Sequence, residues 1–212
     1  IDTERALEFA AYQSVQHAGI PAPQPILLEQ DPNIIGAPFF VMRRIEGGAA
    51  ASPFHTDPYA PHAAGIGAQF FDVLGAIHAI PAAHSALARV IDAPPLDTAW
   101  RRELDYWERV IDADEQEPQP IVRAAIRRLR REPPPPPQRL CLVHGDYRNG
   151  NFLHDGAGRI IAILDWEMAH LKRQRYGDLD ILRQGDCGGA QHRSCAGVFG
   201  VVLRGPPQSD YR

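Results

Sequence analysis

The chain has 212 residues, of which 44% are hydrophobic and 23% charged, and its formal net charge is −4. Such a chain can bury a substantial core as one or two domains. The negative charge provides no basic field for nucleic acid, and no apolar run approaches the roughly 18 residues of a membrane span. Three cysteines without a metal-ligand or disulfide spacing fit a reducing cytoplasm. We therefore expect a globular cytoplasmic protein without nucleic-acid or membrane partners.

The first predicted element is a helix over residues 3–18. Its apolar residues recur at helical spacing, Thr3 is a candidate N-cap, and Gly19 is the expected stop. Glu8 lies inside this helix, where glutamate is by itself an ordinary surface residue. The pattern predicts an amphipathic helix.

Two strands and three further helices follow in the predicted order. The strands cover residues 25–30 and 38–45 and are separated by a turn. The segment Gly47-Gly48-Ala49 is then predicted to end the second strand in a loop. Apolar residues at helical spacing predict helices over the ranges 60–79, 98–113 and 120–131. An uninterrupted proline run over residues 133–137 then forces an extended connector.

The most informative stretch begins after that connector, at residue 142. An apolar strand leads into His144-Gly145-Asp146, Asn151 follows, and a second apolar strand ends at Asp165. Phosphoryl transfer to a hydroxyl needs one carboxylate to orient and deprotonate the acceptor, and oxygen ligands that hold Mg²⁺ against the phosphates. Asp146 suits the first role, and Asn151 and Asp165 suit the second. The sequence predicts that these three side chains converge on a β-hairpin.

Neighbouring side chains have supporting roles in this interpretation. His144 stands two residues before the proposed base, where its ring can bond the loop backbone and hold the geometry of the aspartates. Arg148 is either a contact for an anionic substrate group or an ordinary surface arginine. Trp166 is expected to pack in the core, and Glu167 to support the metal site.

The pattern His-Gly-Asp-x-x-x-x-Asn followed by Ile-Leu-Asp-Trp-Glu resembles the aminoglycoside phosphotransferase and choline kinase-like family, over residues 4–182. The resemblance implies a protein-kinase-like α/β (α+β) fold, with a mostly helical C-terminal lobe, a catalytic β-hairpin and a partial N-terminal lobe. Residues 1–46 then form the partial lobe with its C-helix, strands and hinge, 47–183 the catalytic lobe, and 184–212 a divergent or disordered tail. The implied reaction transfers the γ-phosphoryl of ATP, or of GTP, to a hydroxyl of a small-molecule acceptor with Mg²⁺.

The same resemblance assigns the nucleotide contacts. Glu8 falls where the family places the glutamate that pairs with a strand lysine, and Glu4 is a nearby alternative. Met42 would back the purine, while the Arg43 carbonyl and the Ile45 amide would bond the adenine edge. His144 is counted with these residues as part of the cofactor site.

The chain also departs from the family at both ends. No Gly-rich phosphate loop or strand lysine precedes the first helix, and Lys172 is the only lysine. The chain starts at Ile1 without a signal peptide, and after residue 171 it lacks the usual Gly-Asp-Pro before Asp178-Leu179. We therefore expect an N-terminally truncated or frameshifted fragment with impaired transfer.

Two other functions remain open at this point. One is a pseudokinase or nucleotide-binding interaction module without transfer activity. The other is metal-dependent phosphoester hydrolysis, which is weaker because such enzymes gather several His and Asp ligands around two metals. The acceptor also remains open among an aminoglycoside, a choline-like amine, a sugar, a macrolide and a hydroxyacyl compound.

Overall fold

The structure, a computed structural model, describes residues 4–50, 59–114, 117–137 and 139–173. The predicted tail over residues 184–212 and the Asp178-Leu179 segment lie outside these ranges. The helices are α1 (Arg5–His17), α2 (Ala63–Ala79), α3 (Ala99–Asp114) and α4 (Pro120–Arg131). The strands are β1 (Pro25–Glu29), β2 (Phe39–Met42), β3 (Ala49–Ala50), β4 (Leu140–Val143), β5 (Phe152–His154), β6 (Ile160–Ile163) and β7 (His170–Arg173).

Helix α1 ends at the predicted glycine. Gly19 takes a left-handed conformation with φ of 72°, and its amide donates to the Gln16 carbonyl. The next amide, of Ile20, donates to the Val15 carbonyl, and both side chains are buried. This is a Schellman C-cap with its hydrophobic contact. At the other end, Glu4 and not the predicted Thr3 occupies the N-cap position.

Strands β1 and β2 form an antiparallel pair that packs on α1. The ring of Phe40 in β2 lies 6.0 Å from the rings of Phe9 and Tyr12 on the helix. The helix is also fixed to the following part of the chain, because the Ser14 hydroxyl is 3.0 Å from the Ser85 hydroxyl and accepts from the Ala86 amide. Helix α1 therefore joins the small sheet to the rest of the core.

The remaining strands form two further sheets. Strands β5 and β6 form an antiparallel hairpin, and β3 adds to its outer edge. The expectation that the strand before Asp146 belongs to this hairpin is wrong, because β4 pairs with β7. The chain turns back after Asp165, so β7 runs antiparallel beside β4, and His144 after β4 contacts the Leu164 carbonyl after β6.

Helices α3 and α4 lie at the surface and contact each other. Arg130 of α4 bonds Asp105 at 2.7 Å and also bonds Glu108 on α3, while Arg123 pairs with Asp112 at 2.5 Å. Within the described residues, no helix combines the length and the apolar character that crossing a membrane requires.

Candidate active site

The loop that follows β4 depends on a glycine. Gly145 has φ of 94°, and a Cβ at this position would overlap the carbonyl oxygen of Met168. The loop before the proposed base therefore lies directly against the turn that follows Asp165. Protein kinases place an arginine at the corresponding position of their His-Arg-Asp motif, and the packing here explains why this chain has a glycine.

His144 connects the two halves of the site. It is fully buried, and its Nδ1 accepts a hydrogen bond from the Asp146 amide at 3.2 Å. The other ring nitrogen, Nε2, lies 2.8 Å from the Leu164 carbonyl oxygen. Since Nδ1 accepts, a neutral ring carries its proton on Nε2 and donates to Leu164. The expected backbone contacts are thus present, next to both Asp146 and Asp165.

The carboxylate of Asp146 is held at one of its two oxygens. Its Oδ2 atom accepts from the Asn151 side-chain amide at 2.8 Å and from the Arg148 guanidinium at 2.9 Å. Asn151 also donates to the Asp146 backbone carbonyl at 2.9 Å. Because both donors occupy Oδ2, the Oδ1 atom is the one available to an acceptor hydroxyl.

Asn151 and Asp165 are brought together by the backbone. The Leu164 amide donates to the Asn151 carbonyl at 2.8 Å, which places Asp165 one residue from this contact. Asp165 has φ of 65°, a left-handed conformation that is uncommon for a residue with a side chain. These two residues offer an amide oxygen and a carboxylate, the kind of partial oxygen set that Mg²⁺ completes with water and phosphate oxygens.

The donors therefore fit Mg²⁺, since the Asn151 nitrogen is already used toward Asp146 and its amide oxygen is left to face a cation. Across the described ranges, no group of three or more His, Cys, Asp or Glu side chains is placed to hold a metal ion. The arrangement thus lacks the all-protein ligand cluster that a two-metal hydrolase uses.

Glu8 is a buried carboxylate on α1, with only 7% of its surface exposed. Burial raises its pKa, and the charges of Glu167 and Asp165 raise it further, while Arg5 lowers it. Arg5 contacts Glu8 at 2.8 Å from one turn earlier on the same helix. Glu8 therefore faces the aspartate side of the site and is stabilised there by a cation.

The predicted hinge lies at the end of β2. Met42 is half-buried against the core, and the Arg43 amide donates to the Gln24 carbonyl at 2.8 Å. Neither the Arg43 carbonyl nor the Ile45 amide bonds another residue in the described part of the chain. These are the two backbone groups to which the adenine contacts were assigned.

Tyr12 is the residue that the sequence did not single out. It lies four residues after Glu8 on α1 and is 2% exposed. Burial and the nearby charge of Glu8 raise its pKa well above the ordinary range, and its ring stands edge-on to the Trp166 ring, with centroids 6.3 Å apart. The position i+4 from Glu8 was the available signal, because residues at that spacing share a helix face.

The structure thus gathers the predicted site residues into two groups. Hydrogen bonds join His144, Asp146, Asn151 and the backbone beside Asp165. The charge of Asp165 contributes to raising the pKa of Glu8. Met42, Arg43 and Ile45 make no hydrogen bond with that group among the residues the structure describes. The assigned roles of all eight residues remain predictions.

Comparison with known proteins gives one family and several relatives. A profile of the phosphotransferase enzyme family matches residues 2–172. Acyl-CoA dehydrogenase family member 11 of Gallus gallus is 27% identical over 165 residues, which is 76% of this chain and 20% of that protein. The chain thus spans about a fifth of the length of this curated relative.

Two solved structures are similar in fold. The choline/ethanolamine kinase family protein from Mesorhizobium loti has a TM-score of 0.56 and 23% identity, covering 94% of this chain and 61% of that one. The GDP and kanamycin complex of APH(2")-IIia has a TM-score of 0.58 and 16% identity, covering 93% of this chain and 69% of that one. At these identities the likeness concerns the fold.

Proposed function

Since the chain belongs to the phosphotransferase enzyme family, we propose that it transfers the γ-phosphoryl group of ATP, or of GTP, to a hydroxyl of a small molecule with Mg²⁺. The family and the protein-kinase-like fold predicted from the sequence motifs are confirmed by these matches. The observation that carries the proposal is the hydrogen-bonded group of His144, Asp146 and Asn151 beside Asp165.

In this proposal each side chain has one task. The Oδ1 atom of Asp146 orients the acceptor hydroxyl and takes its proton, while Oδ2 stays fixed by Asn151 and Arg148. Asn151 and Asp165 would hold Mg²⁺, which would supply positive charge against the phosphate groups. The Arg43 carbonyl and the Ile45 amide, which bond no other residue that the structure describes, receive the purine against Met42. One structural neighbour is a complex with GDP and kanamycin, which supports use of a nucleotide.

The positive charge of Arg148 beside Asp146 affects which acceptor can bind. Arg148 places a half-exposed guanidinium next to the proposed base, so it favours an acceptor that is neutral or anionic near its reactive hydroxyl. A hydroxyacyl compound meets this condition better than a cationic aminoglycoside. The acyl-CoA dehydrogenase name of the curated relative supports the same class.

We expect turnover by the 212-residue chain to be slow. Among the described residues, the cation that contacts Glu8 is Arg5 of the same helix, and Lys172 is the only lysine of the sequence. A lysine on the phosphates contributes electrostatic stabilisation, which is usually the largest catalytic term. The alternative is a pseudokinase that binds nucleotide without transfer.

The test measures phosphorylated product from ATP and from GTP with a hydroxyacyl compound, choline and kanamycin as acceptors. Asp146→Ala and Asp165→Ala should each lower the rate by about 100- to 10,000-fold. Asp97→Ala, at an exposed position before α3, is the matched control and should retain the wild-type rate. Transfer that survives in Asp146→Ala would contradict the assignment. Nucleotide binding in calorimetry, without product from any acceptor, would favour the pseudokinase.

A further inference from the structure

The segment that follows α2, residues 80–87, is bonded to the strand that leads into the proposed base. We call this segment the connector. The Leu142 amide of β4 donates to the Ile80 carbonyl at 3.1 Å, and the next residue of the connector forms a β-bridge with the same strand. A single 3₁₀ turn then leads to Ser85. Because all of β4 is buried, the connector is fixed relative to the loop that carries Asp146.

A pair of buried hydroxyls joins the connector to α1. The Ser14 hydroxyl donates to the Ala10 carbonyl at 2.7 Å and accepts from the Ala86 amide at 2.8 Å. It also lies 3.0 Å from the Ser85 hydroxyl, and because its own proton is already used, Ser85 donates in this pair. The Ser85 oxygen accepts in turn from the Leu87 amide at 3.2 Å. Ser14 and Ser85 are 3% and 4% exposed, so the pair lies in the interior.

A polar pair at this contact restricts the helix more than an apolar contact would. Val15 and Leu87 beside it are fully buried apolar residues of the same core, and apolar burial has no preferred direction. A hydrogen bond is directional, and leaving one buried partner unsatisfied costs more than the bond itself contributes. Ser14 lies six residues after Glu8 on α1, which is about 240° around the helix. A rotation of α1 that breaks the pair therefore also moves Glu8.

Helix α1 also supports the strand that carries the predicted hinge. The ring of Phe40 in β2 lies 6.0 Å from the ring of Tyr12 on the helix, and Met42 ends the same strand. One connection between the proposed purine site and the proposed base therefore runs through α1, the Ser14–Ser85 pair and the connector.

We propose that Ser14 and Ser85 are positioning residues, whose hydroxyl pair sets the place of α1 relative to β4. The pair thereby sets the spacing between the purine site at Met42 and the loop of Asp146. This effect on the nucleotide rests on the proposed function, whereas the contact between α1 and the connector does not. A nucleotide that reaches from one site to the other needs this spacing, so loss of the pair weakens nucleotide binding.

The first experiment compares Ser14→Ala with Gln69→Ala in the full chain. The Gln69 side chain makes a similar contact elsewhere, because it donates to the Gly158 carbonyl at 2.7 Å and accepts from the Ile160 amide at 3.1 Å. In hydrogen–deuterium exchange, the peptide over residues 5–17 should exchange about three- to tenfold faster in Ser14→Ala. It should exchange at the wild-type rate in Gln69→Ala. Unchanged exchange of this peptide in Ser14→Ala, or equal acceleration in both variants, overturns the proposal.

A second readout tests the effect on the nucleotide. In calorimetry, the Kd for a non-hydrolysable ATP analogue with Mg²⁺ should rise about tenfold in Ser14→Ala and stay unchanged in Gln69→Ala. Ser85→Ala, which keeps the bond from Ala86 to Ser14, is the milder variant and should raise this Kd as well. The double variant should match Ser14→Ala, because that substitution already removes both bonds between the helix and the connector.

Two results of this measurement would overturn the positioning role. One is a Kd that stays unchanged in Ser14→Ala although exchange is faster. The other is a larger rise in the double variant than in Ser14→Ala, which would mean that the two residues act separately. If the wild-type chain binds no analogue, the proposed function fails, while the exchange experiment still decides whether the pair holds α1.

Discussion

The segment over residues 140–173 and the pair of helices α3 and α4 are held together in different ways. In the first, which we call the catalytic segment, all of β4 is buried, and the loops are fixed by backbone and histidine hydrogen bonds. In the helix pair, the buried residues are Ala99 and Ile126, and the helices are joined by exposed ion pairs.

The difference explains where residue identity matters. At a buried position that contacts backbone, such as Gly145, only one residue type fits. Such positions form a recognisable sequence motif. An exposed ion pair contributes little to stability and can be replaced by many combinations. The motif that identifies the family therefore lies in the catalytic segment, and the helix pair carries no comparable pattern.

The largest loss of stability is expected from Gly145→Ala in the catalytic segment. The added methyl overlaps the Met168 carbonyl at a φ of 94°, so strain and overpacking should lower the free energy of unfolding by about 3 kcal/mol or more. Urea denaturation measures this loss. The matched control is Gly75→Ala in the exposed part of α2, where nothing lies within 4 Å of the new methyl. That variant should be more stable by about 0.5–1 kcal/mol. Wild-type stability of Gly145→Ala would contradict the close packing of the two loops.

Glu8→Gln tests the cost of a buried charge, because Glu8 lies next to the catalytic segment. The pKa of Glu8 is raised above its ordinary value of 4.5, first by burial, so the folded state binds this proton more tightly than the unfolded state does. The contribution of Glu8 to the free energy of unfolding is therefore fully present below pH 4.5, and it declines as the pH rises through the pKa of the folded state.

Glutamine resembles the protonated acid, so Glu8→Gln should have a higher Tm than the wild type near neutral pH. The advantage should shrink as the pH falls below 4.5, where the wild-type side chain is itself protonated. Thermal unfolding across this pH range measures both effects, and phosphoryl transfer by the same variant should decrease. A lower Tm for Glu8→Gln at neutral pH would show that the ion pair with Arg5 outweighs the cost of burial.

Much of this molecule follows from local sequence patterns. Helix α4 has the predicted bounds of Pro120 and Arg131, because its proline start and its amphipathic pattern are both local signals. The sequence order also predicts that Asp146, Asn151 and Asp165 lie near one another, since each lies within three residues of an end of a short strand.

The pairing of β4 with β7 and the position of Tyr12 beside the site did not follow from the sequence. Strand pairing between residues 140 and 173 joins distant positions, and a four-residue apolar strand fits several partners equally well. Tyr12 is an aromatic residue on a helix, and only its ring contact with Trp166, the residue after Asp165, places it beside the site. Both features are set by packing between distant elements.

The smallest effect is expected from Arg130→Gln in the helix pair. This arginine bonds both Asp105 and Glu108, yet these groups stay in contact with water, which weakens the attraction. Urea denaturation should show a loss in the free energy of unfolding that is a small fraction of the loss in Gly145→Ala. About 1 M salt should remove this loss. Arg127→Gln, one turn earlier at an exposed position, is the control and should leave stability unchanged. A loss as large as that of Gly145→Ala, or one that resists salt, would mean that the helix pair is as tightly specified as the catalytic segment. The absence of a motif there would then need a cause other than exposure.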